Sequence, residues 1–277
     1  MRTPITYYGG KQRIAPEIIS MMPAHKIYVE PFFGGGAVFF RKSKAGIEVI
    51  NDHNNDLINF YSCVQNRFDE LQELIRQTLH SETMYYYAKD VWNGRTEATD
   101  IEKAWAVWLI TNGSYAGSMH GGWKWCNGTT GGHTATFIKG KRSEFAEQLH
   151  RRLDNVQISC RDALRVITDR DSPGTFFYLD PPYPGCVQQH YAGYTLENLE
   201  ELLQLLQTIE GKFILSNYWC DLLKDYIKEN NWNYREIEVD LRITNLGRGT
   251  RKKETQYRTE VLIYNYSIQN GLFNNLI

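Results

Sequence analysis

An acid, two prolines and a tyrosine, Asp180-Pro181-Pro182-Tyr183, directly follow the apolar run Thr175–Leu179. Prolines after a strand are ordinary turn formers, so a plain turn is one interpretation. In the chemical interpretation, the Asp180 carboxylate and the Pro181 carbonyl each accept one hydrogen of an amino group. Tyr183 would stack on the aromatic ring that carries this amine. A turn of this kind could aim the amine's lone pair at an electrophilic methyl group, since proline fixes the geometry in advance.

Three other segments end in residues that could hold a ligand beside this turn. Glycines 34–36 follow one predicted strand, and Asp52 and Asp162 end two more. Ligands of open α/β sheets lie beyond the carboxyl ends of the strands, where a carboxylate can accept hydrogen bonds from ribose hydroxyls. A single aspartate of this kind is as often a helix cap or turn former. The combination favours a nucleoside-like pocket.

Hydrophobic periodicity predicts the elements that position these residues. Over 26–40 we expect a strand, a glycine turn and the start of a helix. Further strands are predicted over 47–52, 156–162, 175–180, 212–217, 233–240 and 260–266. Helices are predicted over 56–79, 82–93, 100–112, 143–153, 196–206 and 220–228.

The segment 113–142 is rich in glycine, contains Trp123 and Trp125, and shows little periodicity. Long irregular segments inside compact domains are often binding loops. With the helices that flank it, this segment favours an α/β domain formed by 1–56 and 154–277. A mainly helical module is then inserted at 57–153.

The composition of the 277-residue chain is ordinary for a globular protein, with 42% hydrophobic residues and a net charge of −1. We expect a cytoplasmic protein with no membrane partner, because neither a secretory signal nor a membrane-length apolar run is visible. Five scattered cysteines without a CxxC pair favour neither a disulfide framework nor a zinc site. Basic residues cluster near 139–152 and 242–258, and each cluster forms either a solvated face or a phosphate-binding surface.

The segments TYYGGKQRIAPEI, VEPFFGGGAVFF, EVINDHNNDLINFY and FFYLDPPY occur in this order, and RTEVLIYN follows near the end. Together they resemble the Dam-type DNA adenine N(6)-methyltransferases of bacteria and phages. DPPY alone is shared with enzymes that methylate amino groups of RNA or protein glutamine, but DPPY with YxGGK and FxGxG is more specific. The resemblance covers most of the chain and is weakest in the middle. It implies a Rossmann-like class I methyltransferase sheet and S-adenosylmethionine as cofactor, with no metal.

The resemblance also implies roles for the residues that match its motifs. Tyr7 and Lys11 match the motif that contacts S-adenosylmethionine and the active site, although the sequence alone would make Lys11 a surface lysine. The other expected cofactor-binding residues are Phe32, Gly34 and Gly36 at the methionine end, Asp52 at the ribose, Asp162 near the adenine, and Asp180. The expected catalytic residues are Asp180, Pro181, Pro182 and Tyr183.

The module 57–153 is expected to recognise double-stranded DNA, with the target adenine flipped into the pocket. Its sequence lacks the Asn-x-Pro-Phe-Gly-like hairpin of GATC-reading members, so GATC is not predicted as the recognition sequence. We expect a monomer, and the sequence does not indicate whether a restriction enzyme is a partner. Tryptophans here are equally typical of a core. The residues expected to contact DNA are Trp123, Lys124, Lys139, Arg142, Arg248, Arg251 and Lys252.

Two alternatives stay open at this point. The chain could methylate adenine in RNA, or it could be a non-catalytic homologue that binds S-adenosylmethionine or DNA. The intact DPPY motif together with Lys11 favours a catalyst over the second alternative.

Overall fold

The structure is a computed structural model that describes residues 1–7, 9–126, 134–184, 193–240 and 257–268. Within these ranges it contains seven strands and ten α-helices. The strands are β1 (Ile27–Glu30), β2 (Ile47–Asn51), β3 (Gln157–Ser159), β4 (Thr175–Leu179), β5 (Lys212–Asn217), β6 (Asn233–Asp240) and β7 (Tyr257–Tyr264). The helices are α1 (Ala15–Met21), α2 (Asn55–Asn66), α3 (Phe68–Gln77), α4 (Glu82–Trp92), α5 (Asp100–Gly113), α6 (Thr134–Glu144), α7 (Glu147–Leu153), α8 (Ala163–Arg170), α9 (Leu196–Leu206) and α10 (Asp221–Glu229).

The seven strands form one mixed sheet in the order β3-β2-β1-β4-β5-β7-β6. The first five are parallel to one another, whereas β7 pairs antiparallel with both β5 and β6. Parallel pairing brings the carboxyl ends of β1 to β5 to a single edge of the sheet. The residues that follow these strands in the sequence therefore lie together.

Both faces of the sheet are covered, which explains why its central strands are almost continuously apolar. Along β4, Phe176 and Tyr178 belong to one buried cluster, and Phe177 and Leu179 belong to another. The first cluster includes side chains of α1, α2 and α5. The second includes side chains of α8, α9 and α10. Alternate side chains of β4 therefore pack against the helices on opposite faces of the sheet.

Helices α2 to α7 lie between β2 and β3 in the sequence, and α2, α3, α4 and α6 pack on α5. From Ala104 to Gly113 every residue of α5 is buried, because α2, α3 and α4 pack on it. The first hydrophobic cluster runs from α5 through α2 to the sheet. These helices therefore share their core with the sheet.

The single helix predicted over 56–79 is wrong, because the chain breaks at Arg67 into α2 and α3. Arg67 has φ −135° and ψ 38°, outside the helical region. The break turns Phe68 inward, where its ring stacks on Phe145 with centroids 5.3 Å apart. Burial of this aromatic ring outweighs the continuous helical pattern of the sequence.

The helix predicted to start after the glycine turn is also wrong. Successive hydrogen-bonded turns follow instead, with Phe40 N–H donating to Gly36 and Arg41 N–H donating to Val38. Gly34 and Gly36 have φ of +47° and +64°, which no regular helix accommodates.

The irregular segment predicted over 113–142 is interrupted by α6, which begins at Thr134. Helix α6 buries only Ile138 and contains Gly140, so it has no hydrophobic periodicity from which it could be predicted. No helix in the described ranges is long and apolar enough to cross a lipid bilayer.

Candidate active site

A cavity of about 630 Å³ opens at the edge of the sheet where the parallel strands end. Its wall includes Phe32 after β1, Asp52 after β2, Asp162 after β3 and Asp180 after β4. Tyr7 and Lys11 from the N-terminal segment also line it. This volume lies within the range of about 300–1,000 Å³ that is typical of small-molecule sites.

The glycine turn after β1 forms one side of the cavity and packs against Tyr7. A Cβ atom added at Gly35 would lie 2.8 Å from the Cβ atom of Tyr7, and one at Gly34 would lie 3.1 Å from the Tyr7 ring. A Cβ atom at Gly36 would meet the Phe33 ring at 2.6 Å. Glycine is therefore required here for close approach as well as for positive φ.

Asp52 braces the glycine turn from the neighbouring strand. Its Oδ2 atom accepts the Gly34 N–H at 2.7 Å, and its Oδ1 atom accepts the Asn54 N–H at 2.9 Å. Burial raises the pKa of Asp52, and the two backbone N–H groups oppose this rise. Asp52 lines the cavity while it fixes the turn.

Asp162 is a helix cap at the edge of the cavity. It is the N-cap of α8, where its Oδ1 atom accepts the Arg165 N–H at 3.0 Å. It also lines the cavity. Capping fixes the carboxylate at the mouth of the pocket, because a cap residue is held by the first turn of its helix.

Lys11 is not a surface lysine, since only 8% of the residue is exposed. Its Nζ atom donates to Oδ1 of Asp180 at 2.7 Å and to the Gly9 carbonyl at 3.3 Å. Burial lowers the pKa of Lys11, but the charges of Asp180 and Glu260 more than compensate, so the pKa lies above its ordinary value. Lys11 is therefore a permanent buried cation beside the DPPY segment.

The Asp180 carboxylate receives its contacts on one oxygen atom. Lys11 Nζ donates to Oδ1, and the Tyr183 hydroxyl oxygen lies 3.2 Å from the same atom. Among the described residues, no hydrogen bond reaches Oδ2. Burial raises the pKa of Asp180, as does Glu260, whereas Lys11 lowers it.

Tyr183 is tied to the protein through its hydroxyl group, which donates to Oε1 of Glu260 at 2.9 Å. Its ring meets the ring of Tyr218 edge to face, with centroids 4.3 Å apart. Pro182 lines the cavity, and Pro181 is buried. The structure thus holds the whole DPPY segment in place at the carboxyl end of β4.

Two buried carboxylates of this region, Glu30 and Glu260, were missed by the sequence analysis. Burial raises the pKa of Glu30 to about 8, even though Tyr28 donates a hydrogen bond to its Oε2 atom at 2.7 Å. Glu30 ends β1, so the strand-end rule that found Asp52 would have found it. Glu260 is an acid within an apolar strand, and that conflict was its only signal.

The predicted DNA contacts within residues 57–153 lie on the surface of the protein. Trp123 is half-buried and stacks on His80 with ring centroids 5.0 Å apart, so it is not a core tryptophan. Lys124 Nζ lies 5.0 Å from the centre of the Phe137 ring. Lys139 is exposed on α6.

Arg142 has a structural contact that the sequence did not predict. Its Nη1 atom donates to the carbonyls of Arg76 and Thr78, at the end of α3. Arg142 thereby joins α6 to α3 by satisfying carbonyls that a helix end leaves open. The remaining predicted contacts, Arg248, Arg251 and Lys252, lie outside the described residues.

Comparison with known proteins agrees with this architecture. A sequence model of the D12 class N6 adenine-specific DNA methyltransferases matches residues 7–244. The Type II methyltransferase M1.LlaDCHI of Lactococcus lactis subsp. cremoris is 26% identical, and the match covers 93% of each chain. The Type II methyltransferase M.MjaIII of Methanocaldococcus jannaschii is 27% identical over 95% of this chain and 98% of its own.

The DNA adenine methylase of Escherichia coli (strain K12) is 25% identical, over 91% of this chain and 92% of its own. The resemblance to Dam-type enzymes is thus confirmed, and so is the predicted Rossmann-like methyltransferase sheet. The chain belongs to the D12 class of N6 adenine-specific DNA methyltransferases.

Proposed function

We propose that the chain transfers the methyl group of S-adenosylmethionine to the 6-amino group of an adenine flipped out of double-stranded DNA. The observation that carries this proposal is the Asp180 carboxylate. Its Oδ1 atom is occupied by Lys11 and Tyr183, and no hydrogen bond from the described residues reaches Oδ2. Oδ2 is therefore suited to accept a hydrogen of the target amine.

The residues of the cavity fit S-adenosylmethionine. The glycine turn leaves a cradle that side chains would fill, since a Cβ atom at Gly34 or Gly35 would press on Tyr7. Asp52 and Asp162 offer carboxylate oxygens to hydroxyl and amino groups. Tyr178 also lines the cavity.

When bound, S-adenosylmethionine supplies an electrophilic methyl group. The chain must orient the amine, because the lone pair of an amine on an aromatic ring is delocalised into that ring. Asp180 Oδ2 and the Pro181 carbonyl would each accept one N–H hydrogen and so turn the lone pair out of the ring plane. Prolines on both sides of that carbonyl make the orientation rigid before the substrate arrives.

Lys11 would keep the Asp180 carboxylate ionised and would orient it so that Oδ2 faces the target amine. Its ammonium lies 2.7 Å from Oδ1, and its charge opposes the rise in the pKa of Asp180 that burial causes. An ionised carboxylate accepts hydrogen bonds more strongly than a neutral one, so the contact favours orientation of the amine. Tyr183 would stack on the flipped base, for which about 1–3 kcal/mol is typical.

We infer that residues 57–153 form the DNA target-recognition module of a catalytic domain made of 1–56 and 154–277. Support comes from the exposed basic and aromatic residues of this part, among them Trp125, Phe137 and Lys139. Flipping a base costs a few kcal/mol, which contacts from such a module would offset. We further propose that the protein acts as a cytoplasmic monomer.

The proposal is tested by offering the purified chain labelled S-adenosylmethionine with double-stranded DNA, RNA of the same sequence, or neither. The nucleosides of each product are then separated. Label in N6-methyldeoxyadenosine from duplex DNA is the expected result. Label confined to RNA would support the RNA alternative, which the DNA methylase relatives do not favour. S-adenosylmethionine binding without label in any nucleic acid would support the non-catalytic alternative.

A further inference from the structure

Glu260 is a buried carboxylate that touches three residues of the catalytic region. Its side chain lies on β7 and is 6% exposed. Its Oε1 atom accepts the Tyr183 hydroxyl at 2.9 Å and also the hydroxyl of Ser216. Lys11 Nζ lies 3.4 Å from the same atom. A carboxylate from the antiparallel end of the sheet thus reaches the segment after β4.

Glu260 and Asp180 contact the same two groups. Lys11 lies between the two carboxylates, 2.7 Å from Asp180 and 3.4 Å from Glu260. The Tyr183 hydroxyl lies between them too, 3.2 Å from Asp180 and 2.9 Å from Glu260. Both groups that contact Asp180 Oδ1 are therefore also held by Glu260.

The backbone pairing of β7 with β5 does not involve this carboxylate. The antiparallel ladder with β5 pairs Ser216 with Leu262 and Asn217 with Val261, which holds β7 in register. Burial of an ionised carboxylate is costly unless it is paired. The partners that offset this cost are Lys11, Tyr183 and Ser216, and two of them are also contacts of Asp180. The side-chain contacts of Glu260 thus connect it to the catalytic region, whereas the sheet is held by backbone pairing.

We propose that Glu260 is a positioning residue for methyl transfer, which holds the Lys11 ammonium and the Tyr183 hydroxyl and thereby fixes Asp180 for the target amine. This inference rests on the proposed function, because it assigns Asp180 the role of amine acceptor. Glu260 itself lies behind Lys11 and Tyr183 and acts through them.

The test is Glu260→Gln, which keeps the size of the side chain and removes its charge. We expect kcat to fall about 10- to 100-fold, the range of an impaired positioning contact. The dissociation constant for S-adenosylmethionine without DNA, measured by calorimetry, should stay within about twofold of the wild-type value, because Glu260 acts on the amine side.

The pH profile gives a readout that a purely structural role would not move. The groups that face Asp180 are Lys11, Glu30, Tyr178, Tyr183 and Glu260. The charge of Glu260 raises the pKa of Asp180. Its removal lowers that pKa, so Asp180 stays ionised to lower pH and the acid limb of the kcat profile moves to lower pH. Lys11→Met removes an opposing positive charge, so it should move the same limb to higher pH.

Ser216→Ala is the matched control, because it removes the hydroxyl that contacts Glu260 and Tyr183 but no charge. Its acid limb should coincide with that of the wild type. The double variant Tyr183→Phe with Glu260→Gln should lose less than the product of the two single losses, since Glu260 acts partly through Tyr183. Full additivity together with an unmoved acid limb would overturn the proposal.

Folding of the Glu260→Gln variant is checked by circular dichroism and melting temperature. If it does not fold, Tyr183→Phe alone supplies the test. This variant keeps the aromatic ring and removes the hydroxyl group that contacts Glu260. A wild-type kcat in either folded variant would overturn the role of Glu260. Failure of the proposed function is distinguishable, because the wild-type chain would then methylate no DNA adenine.

Discussion

Lys11 and Asp180 are 169 positions apart in the sequence, yet Nζ of Lys11 lies 2.7 Å from Oδ1 of Asp180 in a buried ion pair. Lys11 follows Gly9 and Gly10 near the N-terminus, and Asp180 follows β4, the central strand of the sheet. The contact joins the N-terminal segment to the DPPY segment. The cavity wall is complete only when both segments are in place.

Replacement of Lys11 by methionine should reduce kcat by about 100-fold or more at neutral pH, because Asp180 loses the cation that keeps it ionised and oriented. The acid limb of the pH profile should move to higher pH. Lys26→Met, at an exposed lysine before β1, is the control and should have a wild-type profile. An unmoved limb in the Lys11 variant would contradict the role of the ion pair.

Gly35→Ala should weaken binding of S-adenosylmethionine about tenfold or more, because the new Cβ atom would lie 2.8 Å from the Cβ atom of Tyr7. Either Tyr7 or the turn must shift, and both line the cavity. Gly140→Ala on α6 is the matched control, since a Cβ atom there meets nothing within 4 Å. Calorimetric titration of both variants without DNA checks the prediction. Equal affinities would mean that the turn does not shape the cofactor site.

Glu48→Gln should lower the free energy of unfolding by about 3 kcal/mol or more, because it leaves Lys42 and Arg152 buried without their carboxylate. Arg152 donates to both oxygens of Glu48 and also to the Phe39 carbonyl. The exposed pair of Arg151 with Glu147 on the same helix is the control. Glu147→Gln should cost less than about 1 kcal/mol in urea unfolding.

The contribution of Glu48 to stability should depend on pH in a defined direction. Burial raises the pKa of Glu48, but hydrogen bonds from Arg152 and Lys42 outweigh burial, so its pKa in the folded protein is depressed. The contribution of Glu48 is therefore complete above its unfolded pKa of about 4.3 and is lost as the pH falls through the lower folded value. The stability difference between the wild type and Glu48→Gln should shrink over that range. A constant difference would contradict the assignment.

Most of the sheet could be predicted from the sequence, because most of its strands contain an apolar run that is followed by an acid or a turn. The site was predictable for the same reason, since strand ends meet at one edge in a parallel sheet. The burial of Lys11 was not predictable, because a lysine beside a glycine turn carries no local sign of a partner 169 positions away. Glu260 was hidden similarly, because its partners come from three distant segments.

The helical part was less predictable for a different reason. The break at Arg67 has no proline or glycine to mark it, and it follows from the inward turn of Phe68 onto Phe145. The turns after Gly36 follow from aromatic packing of Phe33, Phe39 and Phe40 around a backbone with positive φ. Tertiary contacts, which a local pattern does not contain, decided both cases.

Lys139→Ala should weaken binding to double-stranded DNA and lower the slope of log K against log salt by about one, if this exposed lysine of α6 contacts a phosphate. Lys212→Ala is the control. Lys212 is an exposed lysine at the amino-terminal end of β5, and the cavity lies at the opposite, carboxyl-terminal end of the parallel strands. Fluorescence anisotropy at several salt concentrations measures both slopes. An unchanged slope for Lys139→Ala would mean that Lys139 does not contact a DNA phosphate.

The most direct test of the central claim is the pair of wild type and Asp180→Asn in one assay of methyl transfer to duplex DNA. We predict N6-methyldeoxyadenosine from the wild type and a loss of about 100-fold or more in the variant, because the amide oxygen would face Lys11 and leave the NH2 group, a donor, facing the target amine. The affinity of the variant for S-adenosylmethionine, measured separately, should stay close to that of the wild type. Wild-type turnover in the Asp180→Asn variant, or label in any nucleoside other than N6-methyldeoxyadenosine, would contradict the account.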